Sequence, residues 1–383
     1  MSVTHPLGFE AAGVASGLKS KGGKDVALVV NRGPALAAAA VFTSNRAKAN
    51  PVIWSQQAIS DGLITAVVLN SGGANCYTGA AGFRVTHSTA EHAASLLGAS
   101  AGDILVCSTG IIGEQLDLAK VTAGLTEAAA LLDSEGGEDA AVAIMTTDTH
   151  PKQAVVARDG WSIGGMAKGA GMLAPGLATM LVVITTDADL SSDQLDTALR
   201  GATRVTFDRL DSDGAMSTND TVVLLASAAS GIAPDPAGFA EALHELCSDL
   251  AAQLQQDAEG AAHDITIEVV GAATEDEAVE VGRAVARNNL FKTAVFGNDP
   301  NWGRVLAAVG TTHAAFDPYD IDVSMNGVRV AHAGEPDQSR DLVDLTGRAV
   351  HVLIDLHAGE ATASIRTNDL THDYVHENSA YSS

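Results

Sequence analysis

Apolar residues gather along this chain in short runs rich in β-branched side chains, at 26–30, 65–70, 103–108, 180–185, 221–226, 264–270 and 351–356. Runs of that length and composition predict buried strands. Between several of them the period lengthens to that of a helix. Ala90, Ala93, Ala94 and Leu97 share one face of a predicted helix over 86–97, and a second is predicted over 237–256. Ser191 followed by Gln194, and Thr274 followed by Glu277, carry the capping-box spacing that starts a helix ahead of apolar positions. The chain is therefore mixed α/β, and no period of repeat length interrupts that pattern.

One stretch departs from it. Residues 164–178, Gly-Gly-Met-Ala-Lys-Gly-Ala-Gly-Met-Leu-Ala-Pro-Gly-Leu-Ala, carry five glycines and a proline and predict an irregular loop. A buried-strand pattern follows at once and opens on a threonine, Thr179, which divides the chain into nearly equal halves.

Composition narrows the function. The 383 residues leave room for two or three domain cores, and no apolar run approaches the roughly 20 residues that cross a bilayer. The first residues lack the basic and apolar segments of a secretory signal, so the cytoplasm is the expected location. A net charge of -25, without a basic stripe, argues against nucleic-acid binding. Cys76, Cys107 and Cys247 are odd in number and widely spaced, which fits buried thiols better than disulfides or zinc ligands. The 12 histidines show no zinc spacing, and no phosphate-binding or dinucleotide glycine motif is present, so neither metal nor cofactor is expected.

The loop and its threonine suggest chemistry. A threonine hydroxyl at the head of a core strand could attack the preceding Ala178 carbonyl, and hydrolysis of the resulting ester would free the Thr179 α-amino group. An unperturbed α-amino pKa lies at roughly 7.7–8.0, so the amine can act as base for its own hydroxyl.

Lys168-Gly-Ala-Gly-Met-Leu-Ala-Pro-Gly-Leu-Ala-Thr179-Met-Leu resembles the self-cleavage segment of the ornithine acetyltransferase family, also called glutamate N-acetyltransferase. The resemblance spans essentially the whole chain. It includes Asn70-Ser-Gly-Gly-Ala-Asn75, Cys107-Ser-Thr-Gly-Ile-Ile-Gly113, Thr146-Thr-Asp-Thr149, Asp208-Arg-Leu-Asp-Ser-Asp213, Ser217-Thr-Asn-Asp220, Asp257-Ala-Glu-Gly260, Asp299-Pro-Asn-Trp-Gly-Arg304, Asn368-Asp-Leu-Thr and Tyr374-Val-His-Glu-Asn378. It implies cleavage between Ala178 and Thr179, giving an α chain of 1–178 and a β chain of 179–383. It also implies a four-layer α/β/β/α sandwich formed jointly by the two fragments, and a heterotetramer of two α and two β chains.

The implied reaction moves an acetyl group from N-acetylornithine to glutamate through acetyl-Thr179, releasing ornithine and N-acetylglutamate in arginine biosynthesis. Acetyl-CoA stays open as a second donor. Thr109 and Gly110 follow an apolar strand, a natural place to offer a hydroxyl and a backbone N-H to an oxyanion, and the family's oxyanion hole falls on the matching pair. Both substrates bear α-carboxylates, which an acidic protein must meet with a cation. Lys168 fits, and the matching family lysine binds substrate. Glu259 suits the ornithine ammonium. Thr147 matches a substrate contact, with Thr146 as the alternative register, and Thr179 itself also contacts substrate. Asn378 and Ser383 match the positions through which the family's C-terminus closes over substrate, although Ser383 stands where threonine is common. Gly176-Leu177 replaces a frequent Asn-Met ahead of the cut. The competing enzyme reading is an N-terminal-nucleophile amidohydrolase or aminopeptidase, in which water resolves the acyl-enzyme.

Overall fold

The computed structural model describes residues 2–174 and 180–380. In chain order the first part runs β1 (Phe9–Val14), β2 (Val26–Asn31), β3 (Ala37–Phe42), α1 (Asn50–Ala58), β4 (Ala66–Asn70), α2 (Gly79–Leu97), β5 (Ile104–Ser108), α3 (Leu118–Ala130), α4 (Gly137–Ala143), β6 (Lys152–Arg158) and β7 (Trp161–Lys168). It continues with β8 (Leu181–Thr186), α5 (Ser192–Val205), β9 (Thr221–Ala226) and α6 (Pro236–Gln256).

Two sheets stack. One has the order β1-β2-β4-β5 and the other β3-β9-β8-β7-β6. Strands buried on both faces read as continuous apolar runs, and β2, β4, β8 and β9 are buried at every position. Alternate residues serve different layers. Val29, Val67, Leu69 and Leu105 meet Met166, Val183, Val223 and Leu225 between the sheets. Leu28, Val68 and Val106 point the other way, onto Ala90, Ala93 and Leu125 of α2 and α3. Val182, Ile184 and Leu224 pack on Leu195, Leu199, Leu243, Leu246 and Leu250 of α5 and α6. The layers are helix, sheet, sheet, helix, as expected from the resemblance. Each fully buried Val or Leu contributes roughly 1.5–3 kcal/mol, so these three interfaces dominate the stability of the sandwich.

Helix starts follow the sequence signals. Ser191 and Gln194 make a complete capping box at α5, and Leu195, Leu199 and Ala202 form its buried stripe. Asp235 caps α6 through the Ala237 and Gly238 N-H groups, with Pro236 in the first turn. A third unit follows: β10 (Asp264–Ala272), α7 (Glu275–Ala286), α8 (Asn289–Phe296), α9 (Trp302–Val309), β11 (Asp322–Met325), β12 (Val328–His332), β13 (Glu335–Pro336), β14 (Ala349–Asp355), β15 (Ala361–Asn368) and α10 (His372–Ala380). Its sheet has the order β13-β12-β11-β14-β10-β15 and its own core, in which Ile267, Val269, Val352 and Ile354 meet Val281, Val285 and Phe291.

The sequence expectation fails at one place that matters. Residues 164–168, predicted to begin an irregular loop, form the second half of β7, hydrogen-bonded to β6 and β8. Their glycines serve close packing. A Cβ on Gly164 would lie 2.3 Å from the Ser2 carbonyl oxygen, and one on Gly165 would lie 3.0 Å from the side chains of Leu246 and Leu250. Gly169, with φ 153°, is where the strand ends.

Candidate active site

Two parallel neighbours, β4 and β5, end together with Asn70 opposite Ser108. Polar side chains and backbone at this edge lock the turns that follow. The Ser108 hydroxyl donates to Asn70 Oδ1 at 2.6 Å, and the Thr109 N-H donates to the Asn70 carbonyl at 2.9 Å. Gly73 N-H returns to the Thr109 carbonyl at 2.9 Å. Asn219 crosses from the second sheet, its amide donating to the carbonyls of Ala74 at 2.6 Å and Ser108 at 2.8 Å.

Gly110 follows with φ 127°, and a Cβ there would stand 2.7 Å from the Gly73 backbone nitrogen. Only glycine fits both the conformation and the space. The Gly110 N-H has no acceptor among the described residues.

The opposite wall comes from the end of β7. Lys168 is 2% exposed, and its ammonium donates to Thr109 Oγ1 at 3.4 Å. No carboxylate lies within ion-pair distance of it among the described residues. Lys152, on the neighbouring strand, is paired with Asp148 and Asp257, each at 2.6 Å. Asp148 also accepts from Gly169 N-H at 2.6 Å, which ties the cluster to the backbone after Lys168.

Burial pulls the Lys168 ammonium below its ordinary pKa, Asp148 opposes that, Lys152 adds to it, and Asp220 and Glu259 oppose it. Burial would raise Asp148, but the charges of Lys168 and Lys152 outweigh it and hold that carboxyl at about 2. One ammonium is thus neutralised by built-in carboxylates, while the other keeps donors without a partner among the described residues, as a site for an added anion requires.

A cavity of about 800 Å³ opens beside this wall, lined among others by Gly110, Thr146, Thr147, Glu259 and, from α10, His376. That volume lies in the range usual for small-molecule sites. Glu259 is held by its N-H donating to the Ala170 carbonyl at 3.0 Å, and its carboxylate lies where a Cβ on Gly171 would be, at 2.4 Å.

The structure therefore brings Gly110, Thr147 and Glu259 to one cavity, with the Thr109–Lys168 contact next to Gly110 rather than in the described lining. Thr146 and Thr147 both line the cavity, so both registers survive. Asn378 lies on α10, exposed, with its amide donating back to the Tyr374 carbonyl at 3.0 Å, and its helix neighbours His376 and Glu377 form the wall in its stead. Ala178, Thr179 and Ser383 lie outside the described residues.

Sequence reasoning assigned no role to Asp220. Its Oδ1 accepts from the N-H of Met180, the residue after Thr179, at 3.1 Å. Its Oδ2 has no partner among the described residues. Complete burial pushes this carboxyl well above its ordinary range, against hydrogen bonds from Ser217 and Met180 and the charge of Lys168. Its place in Ser217-Thr-Asn-Asp220, directly ahead of a core strand paired with β8, was the available signal.

The sequence profile of the ArgJ family matches residues 10–383. The chain belongs to the ArgJ family. The protein named arginine biosynthesis bifunctional protein ArgJ from Streptomyces coelicolor is 63% identical over 383 residues, covering 100% of both chains. The protein of the same name from Thermobifida fusca is 61% identical over 382 residues, again covering 100% of each. Among solved structures, ornithine acetyltransferase from Mycobacterium tuberculosis in complex with ornithine is 50% identical, covers 47% of this chain and 96% of that one, and gives a TM-score of 0.45. For this ArgJ family chain the Thr109–Lys168 contact and the adjoining cavity are the described parts of the candidate site.

Proposed function

We propose that this ArgJ family chain is a glutamate N-acetyltransferase of arginine biosynthesis, moving the acetyl group of N-acetylornithine to glutamate through acetyl-Thr179. The observation that carries the reading is the buried Lys168 ammonium on the Thr109 hydroxyl oxygen, with no carboxylate at ion-pair distance among the described residues, beside a cavity that Gly110, Thr147 and Glu259 line. Because Thr109 Oγ1 accepts from Lys168, its own hydrogen is free to donate elsewhere, as is the Gly110 N-H. Two such donors from adjacent residues suit a developing oxyanion.

The reaction begins with self-cleavage. The Thr179 hydroxyl adds to the Ala178 carbonyl, the amide nitrogen leaves as the new α-amino group, and water hydrolyses the ester. The fragments are 1–178 and 179–383. Thr179, with its amine as base, then attacks the acetyl carbonyl of N-acetylornithine. Thr109 and Gly110 stabilise the tetrahedral anion, and ornithine departs with the proton. Lys168 meets the substrate α-carboxylate, Glu259 the ornithine ammonium, and Thr147, Asn378 and Ser383 complete the enclosure. The glutamate amine takes the acetyl group from the Thr179 ester and restores the hydroxyl. The fragments stay together as a heterotetramer in the cytoplasm, and acetyl-CoA is a second donor in keeping with the relatives' bifunctional name.

Mass spectrometry of the purified protein tests this reading. Two fragments meeting at Ala178/Thr179, with an acetyl adduct on the second after exposure to N-acetylornithine, are expected. Full activity from an intact, unmodified chain would overturn it. Product analysis with and without glutamate separates transfer from hydrolysis.

A further inference from the structure

The proposed reaction, on which this inference rests, asks one cavity to hold two side chains of opposite charge. Ornithine presents an ammonium and glutamate a carboxylate, while each also carries an α-carboxylate. Glu259 attracts the first side chain and repels the second. If Lys168 meets the α-carboxylate, a second cation is required before glutamate can bind.

Among the described residues, the cationic side chains that line the cavity come from a single loop and are Lys19, Lys21 and Lys24, facing Glu114, Glu259, His376 and Glu377. Lys24 is paired with Asp139. Lys21 is exposed. Lys19 is half-buried, and its ammonium donates to the Lys24 carbonyl at 2.7 Å, with no carboxylate at ion-pair distance among the described residues. An ammonium has three donors, so two stay available.

The loop is pre-built. Buried Asp25 accepts at Oδ1 from Ser16 N-H at 2.6 Å, and at Oδ2 from Leu18 N-H at 2.6 Å and Lys19 N-H at 3.1 Å. Gly22 and Gly23, at φ 77° and 93°, reverse the chain so that the Lys24 carbonyl returns to Lys19. The Lys19 ammonium is lowered from its ordinary range chiefly by burial, with Asp25 and Asp148 opposing and Lys168 adding to the effect. It therefore lies within the electrostatic reach of the Lys168 cluster.

We propose that Lys19 is the subsite for the side-chain carboxylate of the acceptor, and so sets the preference for a dicarboxylic amino acid. Glu259 and Lys19 then divide the two half-reactions between them, one serving the cationic donor and the other the anionic acceptor.

The test compares glutamate with glutamine, its neutral isostere, as acceptor for the processed protein, its Lys19→Gln variant and its Lys19→Arg variant, and follows acetyl adduct formation from N-acetylornithine alone. Loss of a charge-assisted hydrogen bond predicts a drop of roughly ten- to a hundred-fold in kcat/KM for glutamate in Lys19→Gln, with the glutamate-to-glutamine ratio falling alongside it. Adduct formation should persist, and Lys19→Arg should recover most of the ratio. An unchanged ratio in Lys19→Gln, or equal loss of adduct formation and acceptor turnover, would sink the proposal. Failure of the unaltered protein to form any adduct strikes the parent reading instead.

Discussion

The Lys168 ammonium stands 3.4 Å from the Thr109 hydroxyl oxygen, joining the end of a strand in one sheet to the end of a strand in the other. Neither residue reaches the other without the stacking of the two sheets, so the contact reports on the assembled sandwich as well as on the chemistry.

Replacing Thr109 by alanine removes one of the two proposed oxyanion donors while leaving the Gly110 N-H. A fall of about a hundred- to a thousand-fold in kcat is expected, with Thr109→Ser recovering most of it. Steady-state assays with N-acetylornithine and glutamate measure both variants, and a Thr109→Ala enzyme of normal kcat would remove Thr109 from the oxyanion hole.

Asp220 should tolerate an amide better than a methyl group. Burial pushes its carboxyl well above the ordinary range and so favours the neutral form, which resembles asparagine in shape and charge, and Asp220→Asn keeps the acceptor for the Met180 N-H. Asp220→Ala strands that donor and should cost about 1–3 kcal/mol in stability. Chemical denaturation of the two variants at neutral pH decides, and a larger loss in Asp220→Asn would show that the carboxyl is ionised in the fold.

Asp148 predicts an acid-sensitive contribution. Its folded value of about 2 lies below the ordinary 3.8, so its stabilisation is complete above the ordinary value and is lost as pH falls from there through the folded value. The contribution is about 2 kcal/mol. In Asp148→Asn the difference in unfolding free energy between neutral pH and pH about 2 should shrink by that amount, measured by denaturant titration.

Gly171→Ala tests the donor side of the cavity. The new methyl group would meet the Glu259 carboxylate rather than backbone, so the side chain can swing aside and the fold should survive. Apparent affinity for N-acetylornithine should fall more than that for glutamate, because the displaced carboxylate is the proposed partner of the cationic substrate. Equal effects on the two KM values would detach Glu259 from the ornithine ammonium.

The strands at 26–30, 65–70 and 221–226 were legible because burial on both faces writes an unbroken apolar run. β3 was not, since its Ala37–Ala40 run carries helical propensity, and only pairing with β9 over 221–226 makes it a strand. β7 was hidden for a related reason: its glycines answer to Ser2, Leu246 and Leu250, partners distant in sequence. At the site, Lys168, Glu259 and Thr109 came through the family resemblance, with chemistry supplying a reason for each. The Asp148–Lys152–Asp257 cluster escaped because its members lie up to 109 positions apart and acquire meaning only when β6 and the end of α6 meet.

The order of the five-stranded sheet has a consequence for the history of each molecule. β8 and β9, which follow the proposed cut, lie between β3 on one side and β7 and β6 on the other, all of which precede it. A cut chain that unfolds must find its partner again by diffusion before that interleaving can be rebuilt, whereas the uncut chain carries its partner with it. Cleavage would thus act as a ratchet: the molecule can fold cheaply once, as a single chain, and every later unfolding is close to final.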